Sequence, residues 1–464
     1  MTKIALLKQN KRNYLLIFVI PIFILFAHLQ KRPLNHEGGQ SNLNSISQKL
    51  DWWGSMLPII TPSEKFIYES LYISIISIVI FTIGVTLTLK YSDLLRKDFL
   101  LLCVFLFSGY SFVIANSRDS FLLSFAMLNF GLINFIIKSK KYYLTSVLFL
   151  GLVVAVSFKY VTGLTIVLIL LYYFIRHLDF KNYIKYFIII VTTLTITTLG
   201  IVLDKSLADI VNLKKSYPEQ QPLFQDLAAF YCWSDDPITR KYALKAMEPV
   251  TITQDPKDIC LTLRPNSWGY LISGGNFRSS GVTAPLKKID EKEGYKLSPL
   301  IKGWMKTIIN DPVDYVQFKL ISATQIISVG NPFKYPLGIS QVTNESDVIV
   351  QVSKVSDYSW KINRFLLKLI GSTYLFSITI LFLILFIISL TKSKLNLKKE
   401  FIVFLFLSHI FNLAILSISY VSDEARYVFP IIYISYLIMI NDIKLKTKDG
   451  NGRKDFSSSL KFTI

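Results

Sequence analysis

The chain has 464 residues, of which 52% are apolar, 14% aromatic and 18% charged, and its mean hydropathy is +0.44. A soluble chain of this length carries roughly a quarter of its residues as charges, so a soluble globular enzyme is excluded; 20 Gly and 16 Pro exclude a collagen-like or disordered chain as well. The formal charge of +20 invites a nucleic-acid partner, but the charges bracket long apolar runs instead of gathering on a polar face.

A spanning helix needs about 20 mostly apolar residues, because every backbone N–H and C=O must find its partner inside the segment. Ten runs read as spans, at about 14–29, 66–88, 99–115, 121–137, 142–158, 161–176, 187–203, 366–390, 401–420 and 427–441. The first follows a basic stretch, as a signal peptide does, but no A-x-A site comes after it and Pro21 sits inside it, so it reads as a retained span.

The polar loop at 30–65 carries His36, Glu37 and Asp51, followed by Trp52-Trp53. A carboxylate above the membrane can take a proton from an acceptor hydroxyl; the plainer readings are solvated loop acids and interfacial tryptophan anchors. Spans three and four are joined by Asn116-Ser117-Arg118-Asp119-Ser120, spans five and six by Lys159. Lysines bracket each of these pairs, which favours re-crossing over one interrupted helix. The Arg118 fork fits a phosphate bidentately or pairs locally with Asp119. Lys159 is either a phosphate partner or a snorkelling end group.

Between spans seven and eight lies the stretch 204–365, far too long for an ordinary connection and rich in turn signals such as Asp235-Asp236-Pro237 and Arg264-Pro265. It reads as a folded extracytoplasmic domain. Within it Leu300, Ile301, Trp304, Met305, Ile308 and Ile309 recur with helical period, with Lys302 and Lys306 on the other face. Asp311-Pro312 then stops that helix and starts another, with Asp311 as N-cap and Asp314 at N3. Such helices either lie along the membrane surface or roof a small domain. Cys232 and Cys260 fall in this stretch; in an oxidising compartment they can pair, and otherwise they are two buried thiols. Cys103 lies inside a span and reads as packing. His409 and Asn412 share span nine, where they can bond to neighbouring helices. Asp423-Glu424-Ala425-Arg426-Tyr427 precedes the last span. The expected division is 1–203 as an N-terminal bundle, 204–365 as the outer domain, 366–441 as C-terminal spans and 442–464 as a tail.

Lys and Arg in short loops set orientation. One set of ends carries Lys3, Lys8, Lys11 and Arg12, then Lys90, Arg96 and Lys97, then Lys138, Lys140 and Lys141. It continues through Arg176, Lys181 and Lys185 to Lys392, Lys394, Lys398 and Lys399, and ends in the tail. The opposite ends carry only Lys31, Arg32, Lys49, Lys65, Arg118, Lys159 and Arg426 in their short loops. Both termini are therefore expected in the cytoplasm of a multi-pass protein of the plasma (inner) membrane, with the positive charge serving topology and anionic lipid, not nucleic acid. Arg118, Lys159 and Arg426 then become three cations on one membrane face, each at a short outer turn, which suits an amphiphile with a phosphate head and a lipid tail. No P-loop, GxGxxG, HExxH, GxSxG or CxxC pattern occurs, so no nucleotide cofactor is indicated. His36, His177 and His409 are too scattered to form a metal site; whether a divalent ion takes part is left open.

These features together resemble the GT-C superfamily of polytopic membrane glycosyltransferases, of the mannosyltransferase and aminoarabinose-transferase type. The acidic first loop with His36-Glu37 resembles the family's catalytic loop, and Thr61-Pro62-Ser63-Glu64 its proline-bearing approach to span two. Asn116 to Leu122 is similar to the family's Arg-and-acid turn. Gly151-Leu152 through Phe158-Lys159 to Thr162-Gly163 is similar to its basic turn between middle spans. Trp304 with Asn310 to Tyr315 resembles the amphipathic stretch after the outer domain, and Ala425-Arg426-Tyr427 with Pro430 the Arg-Tyr element before a late span. Where the family shows an Asp-Glu or Asp-Asp pair this chain reads His36-Glu37, and it has no Asp-x-Asp signature.

The resemblance implies an all-α polytopic protein of about ten transmembrane helices with an extracytoplasmic α or α+β domain. It implies transfer of a sugar from a polyprenyl-phosphate donor to a glycan, lipid or protein acceptor at the outer face, metal-independent or weakly metal-assisted. Glu37 or Asp51 would act as base, Arg118, Lys159 and Arg426 would hold the donor phosphate, and His36, Asp119 and Tyr427 would support them. An O-antigen-type polymerase or ligase shares the layout. A lipid or polysaccharide transporter or flippase would show charged or Gly/Pro-broken helices at mid-bilayer, whereas these spans are almost charge-free; a non-catalytic scaffold is a further reading.

Overall fold

A computed structural model of the chain describes residues 13, 15–25, 66–91, 98–114, 118–178, 180–210, 220–253, 255–263, 271, 285–287, 297–328, 354–373, 375–390, 399–419 and 428–442. Among them every regular element is helical, and the one β feature is an isolated antiparallel bridge between Thr251 and Leu286. Four helices are long and apolar enough to cross a membrane: Ser74–Tyr91, Asp119–Ser139, Asn182–Leu207 and Glu400–Ile418. Six more apolar helices run 10–17 residues. The described residues are thus all-α, with apolar helices of the kind found in membrane proteins. It divides into two compact units, one from 1–213, 330–409 and 426–464, the other from 214–329 and 410–425.

The first unit is a helical bundle. Its first half comprises α1 (Leu15–Leu25), α2 (Phe66–Tyr91), α3 (Phe99–Val113), α4 (Arg118–Ser139), α5 (Thr145–Phe158), α6 (Tyr160–Ile175) and α7 (Asn182–Ile210). Lipid offers no hydrophobic drive between helices, so small side chains and polar pairs decide the packing. The α2–α4 seam follows that rule: the Ser77 and Ser124 hydroxyls bond at 2.8 Å, and seven residues further along both helices Gly84 faces Gly131. A Cβ on Gly84 would stand 2.5 Å from the backbone of Met127 and Leu128. Because 77 meets 124 and 84 meets 131, α2 and α4 run parallel.

The intervening helix runs the other way. Ser74 Oγ donates to the Ile114 carbonyl and the Thr82 hydroxyl bonds Tyr110, so α3 is antiparallel to α2. Gly151 lies against Asn129 and Phe158 stacks on Phe121, so α5 is antiparallel to α4. The chain therefore reverses between α3 and α4 and again at Lys159, the two places where the sequence pointed to turns. At their far ends α4, α6 and α16 (Phe429–Asp442) are tied by a buried amide–phenol cluster: Tyr173 and Asn441 both donate to Asn134 Oδ1, each at 2.9 Å.

One expectation is corrected. The segment 366–390 is not a single span but two helices, α13 (Lys354–Ser372) and α14 (Ile378–Leu390). Their junction is held by local chemistry: Leu375 N–H donates to Thr373 Oγ1, Ile380 N–H donates to Ser377 Oγ, and Phe376 is buried against Phe105, Phe429 and Tyr433. Helix α15 (Lys399–Ser419) follows.

The second unit packs α8 (Gln220–Trp233), α9 (Pro237–Met247), α10 (Lys257–Thr262), α11 (Leu297–Asn310) and α12 (Pro312–Ser328) around one core with Phe224, Leu227, Met247, Ile259 and Leu300. Asp236 caps α9 by accepting from Ile238 and Thr239 N–H, with Pro237 at the first turn. Asp311 caps α12 by accepting from Asp314 N–H. The periodic apolar set on α11 splits in two. Leu300, Trp304 and Ile308 join the core, whereas Ile301, Met305 and Ile309 are exposed, as are Val313, Val316 and Leu320 on α12. Both helices therefore carry more apolar surface than their own core uses.

Candidate functional site

The candidate site grows from the two reversals. Asp119 stands in the first turn of α4, where unpaired backbone N–H groups favour a carboxylate. Lys159 is the single residue between α5 and α6, held extended at φ −161° and ψ 94°. Its N–H donates to Val156 and its carbonyl accepts from Gly163 N–H, so the reversal costs no backbone hydrogen bond at that residue. Since α4 and α6 run parallel, these two positions fall at the same end of the bundle. There Lys159 Nζ meets Asp119 Oδ1 at 2.6 Å, across 40 residues of sequence.

The pair is dry. Asp119 is 1% and the Lys159 side chain 11% exposed. Beside it in sequence, Phe158 stacks on Phe121 at 4.9 Å and lies 5.6 Å from Phe125. Two buried oxygens here, Asp119 Oδ2 and Thr162 Oγ1, have no hydrogen-bond partner among the described residues. The site thus couples a fixed ammonium to unspent acceptor capacity, in surroundings where charge–charge interactions are strong.

Other expected site residues fall differently. Arg118 is the first residue of α4, adjacent to Asp119, and its side chain lies outside the described set. Arg426, Tyr427, His36, Glu37 and Asp51 lie outside the described residues. Val428, two residues after Arg426, is buried, and the next residue, Phe429, stacks on Phe112 at 4.4 Å near the end of α3 that leads into the Arg118 turn. At that same end Ser111 Oγ donates to Asn363 of α13 at 3.3 Å, a contact that no sequence signal announced. Among the described residues no group of three His, Cys, Asp or Glu side chains converges on a point where a metal could sit.

In the second unit Cys232 and Cys260 are joined by a disulfide, with Cα atoms 5.4 Å apart. A second buried ion pair lies in its core: Lys319 Nζ is 2.8 Å from Asp226 Oδ1, while Trp304 Nε1 donates to Oδ2. Burial pulls the Lys319 ammonium down to about 8, a fall that the Asp226 carboxylate partly offsets. Asp236 is held below the usual carboxylate range, first by the Thr239 hydroxyl. Asp314 is raised, by burial first and then by the hydrogen bond it shares with Asp311.

Compared with known protein families, curated proteins and solved structures, the chain matches none of them. The class of protein that the described residues define is all-α, with four helices long and apolar enough to cross a membrane.

Proposed function

We propose that the chain is a membrane glycosyltransferase of the GT-C type, moving a sugar from a polyprenyl-phosphate donor to an acceptor hydroxyl at the outer face of the plasma (inner) membrane. The observation that carries this reading is the desolvated Lys159–Asp119 pair at the end where α3 passes to α4 and α5 to α6. Ionisable groups at such depth are costly and mark functional sites by default. In this reading the four long and six shorter apolar helices make ten crossings, and both termini are cytoplasmic. The segment 214–329 is then extracytoplasmic, in keeping with the Cys232–Cys260 disulfide, since such bonds persist in oxidising compartments.

The mechanism follows from charge placement. The acceptor hydroxyl gives its proton to Glu37 or Asp51 as its oxygen bonds to the sugar's anomeric carbon. The bond from that carbon to the phosphate oxygen breaks, and polyprenyl phosphate leaves with the electron pair. Arg118 and Arg426 stabilise the charge that grows on the leaving phosphate, and Lys159, already paired with Asp119, donates directed hydrogen bonds to it. Asp119 is a positioning residue: it fixes the ammonium and keeps it from snorkelling away. Membranes supplied with a polyprenyl-phosphate sugar test the scheme. Glu37→Ala should abolish transfer while the protein still accumulates, and Arg118→Gln should lower it by about 10²–10³-fold, the usual loss for one charge-stabilising donor. Wild-type rates in both variants would remove the assignment.

A further inference from the structure

Helix α13 is built in three sectors, and their exposure is unlike that of any spanning helix. One sector, with Ser359, Asn363 and Leu367, is buried. The next, with Ile362, Phe365 and Leu369, is 50%, 65% and 55% exposed. The third carries Lys361, Arg364 and Lys368, all exposed. At 100° per residue these fall in order around the axis: protein, then hydrocarbon-like surface, then cations. An exposed large apolar sector beside a cationic one is the signature of a helix lying in a membrane interface, with its apolar side in the acyl boundary and its basic side at the phosphates.

The neighbours of α13 fix its depth. Asn363 is bonded to Ser111, two residues from the end of α3, and Phe376 packs against Phe105 nearer the middle of α3. Those anchor points are six residues apart on α3, roughly 9 Å along its axis. Between them the chain descends from Asn363 to Phe376, and α14, free of charged residues, begins six residues after α13 ends. The cations therefore sit within about two helical turns of the end of α3, on the helix that leads into the apolar α14.

We infer that α13 binds the bilayer's own anionic phospholipid, with Lys361, Arg364 and Lys368 on the phosphates and Ile362, Phe365 and Leu369 among the acyl chains. This does not depend on the proposed transferase activity. Each cation near an anionic surface strengthens attraction about fivefold, so neutralising all three lowers the apparent affinity for anionic lipid on the order of a hundredfold.

Full-length protein in nanodiscs of phosphatidylcholine with graded phosphatidylglycerol tests this in two ways. Nitroxide labels at Phe365→Cys and Leu369→Cys should be reached by oxygen and shielded from a water-soluble nickel reagent, whereas a label at Arg364→Cys should show the reverse. In the triple variant K361Q/R364Q/K368Q, phosphatidylglycerol counted by mass spectrometry after detergent extraction should be lost, with retained phosphatidylcholine unchanged. Helicity of the variant, read by circular dichroism, should match wild type. Nickel access at 365 and 369, or wild-type retention of phosphatidylglycerol in a folded triple variant, would overturn the inference.

Discussion

Lys159→Met is the most informative single change. At 2.6 Å the attraction between the ammonium and Asp119 is roughly 6 kcal/mol at an effective dielectric constant of about 20. Taking each ion out of water costs several kcal/mol, so the intact pair is close to neutral for stability against two well-packed apolar side chains. Removing the lysine alone is different. It leaves a carboxylate 1% exposed with its charge uncompensated, and a loss of about 3–5 kcal/mol is expected. Replacing both partners, as Asp119→Leu with Lys159→Met, should recover most of that loss, because neither charge is then buried. Unfolding of the purified protein by SDS titration, followed by loss of helicity, measures both steps. Sugar transfer by the same preparations separates structure from chemistry: the double variant should be folded and inactive. A single variant as stable as wild type would refute the buried pair, and a double variant with full transfer would make it purely structural.

In the second unit, Cys232→Ser with Cys260→Ser opens a loop of 28 residues' separation, and the chain-entropy model gives a loss of about 3–4 kcal/mol, read as a lower thermal midpoint and faster proteolysis between 232 and 260. Gly84→Val puts side-chain atoms into the backbone of Met127 and Leu128; overpacking of about 1–3 kcal/mol or more should appear as a lower SDS midpoint, with Gly84→Ala intermediate. Lys319 predicts a pH dependence. With its folded-state value near 8 and its ordinary value 10.5, the unfolded chain binds the extra proton between those limits, so stability should rise with pH across that window. The rise in thermal midpoint from pH 8 to 10 should shrink in Lys319→Met, and an identical rise in both proteins would contradict it.

The apolar helices were legible in the sequence because hydropathy alone dictates them. The reversal at Lys159 was legible because lysines flank each side of the pair it joins. The partner of Asp119 was not: local reasoning offered Arg118, one residue away, but the parallel run of α4 and α6 brings Lys159 to it from 40 positions off. The pairing of Asp226 with Lys319 was hidden for the same reason, since 93 residues separate them. The break within 366–390 was missed because a hydropathy window averages over Gly371-Ser372-Thr373, while the turn is set by hydroxyl caps and by the burial of Phe376. On α11 the period and the apolar face were legible, but not that only the half with Leu300, Trp304 and Ile308 joins the core while Ile301, Met305 and Ile309 stay exposed.

The ion pair also constrains how the proposed site must work. A one-residue link between two helices leaves no loop to carry a charge into water, so the Lys159 side chain must either snorkel along its own stem to the interface or end on a counter-ion inside the bundle. Asp119 meets that need, and α4 holds it there by its N-terminal dipole. The consequence is that Lys159 arrives at the site already neutralised. A phosphate placed beside the pair would meet an ammonium that is well positioned but contributes no net charge, next to a carboxylate oxygen that repels it. Net attraction has to come from further cations, and in the proposed scheme those are Arg118, adjacent in sequence, and Arg426, two residues before the buried Val428. The division of labour follows: Lys159 sets geometry through its directed hydrogen bonds, and the two arginines supply the charge. Donor affinity should accordingly fall more steeply with salt in wild type than in Arg118→Gln, whereas Lys159→Met with Asp119→Leu, which changes no net charge, should leave that slope as it is.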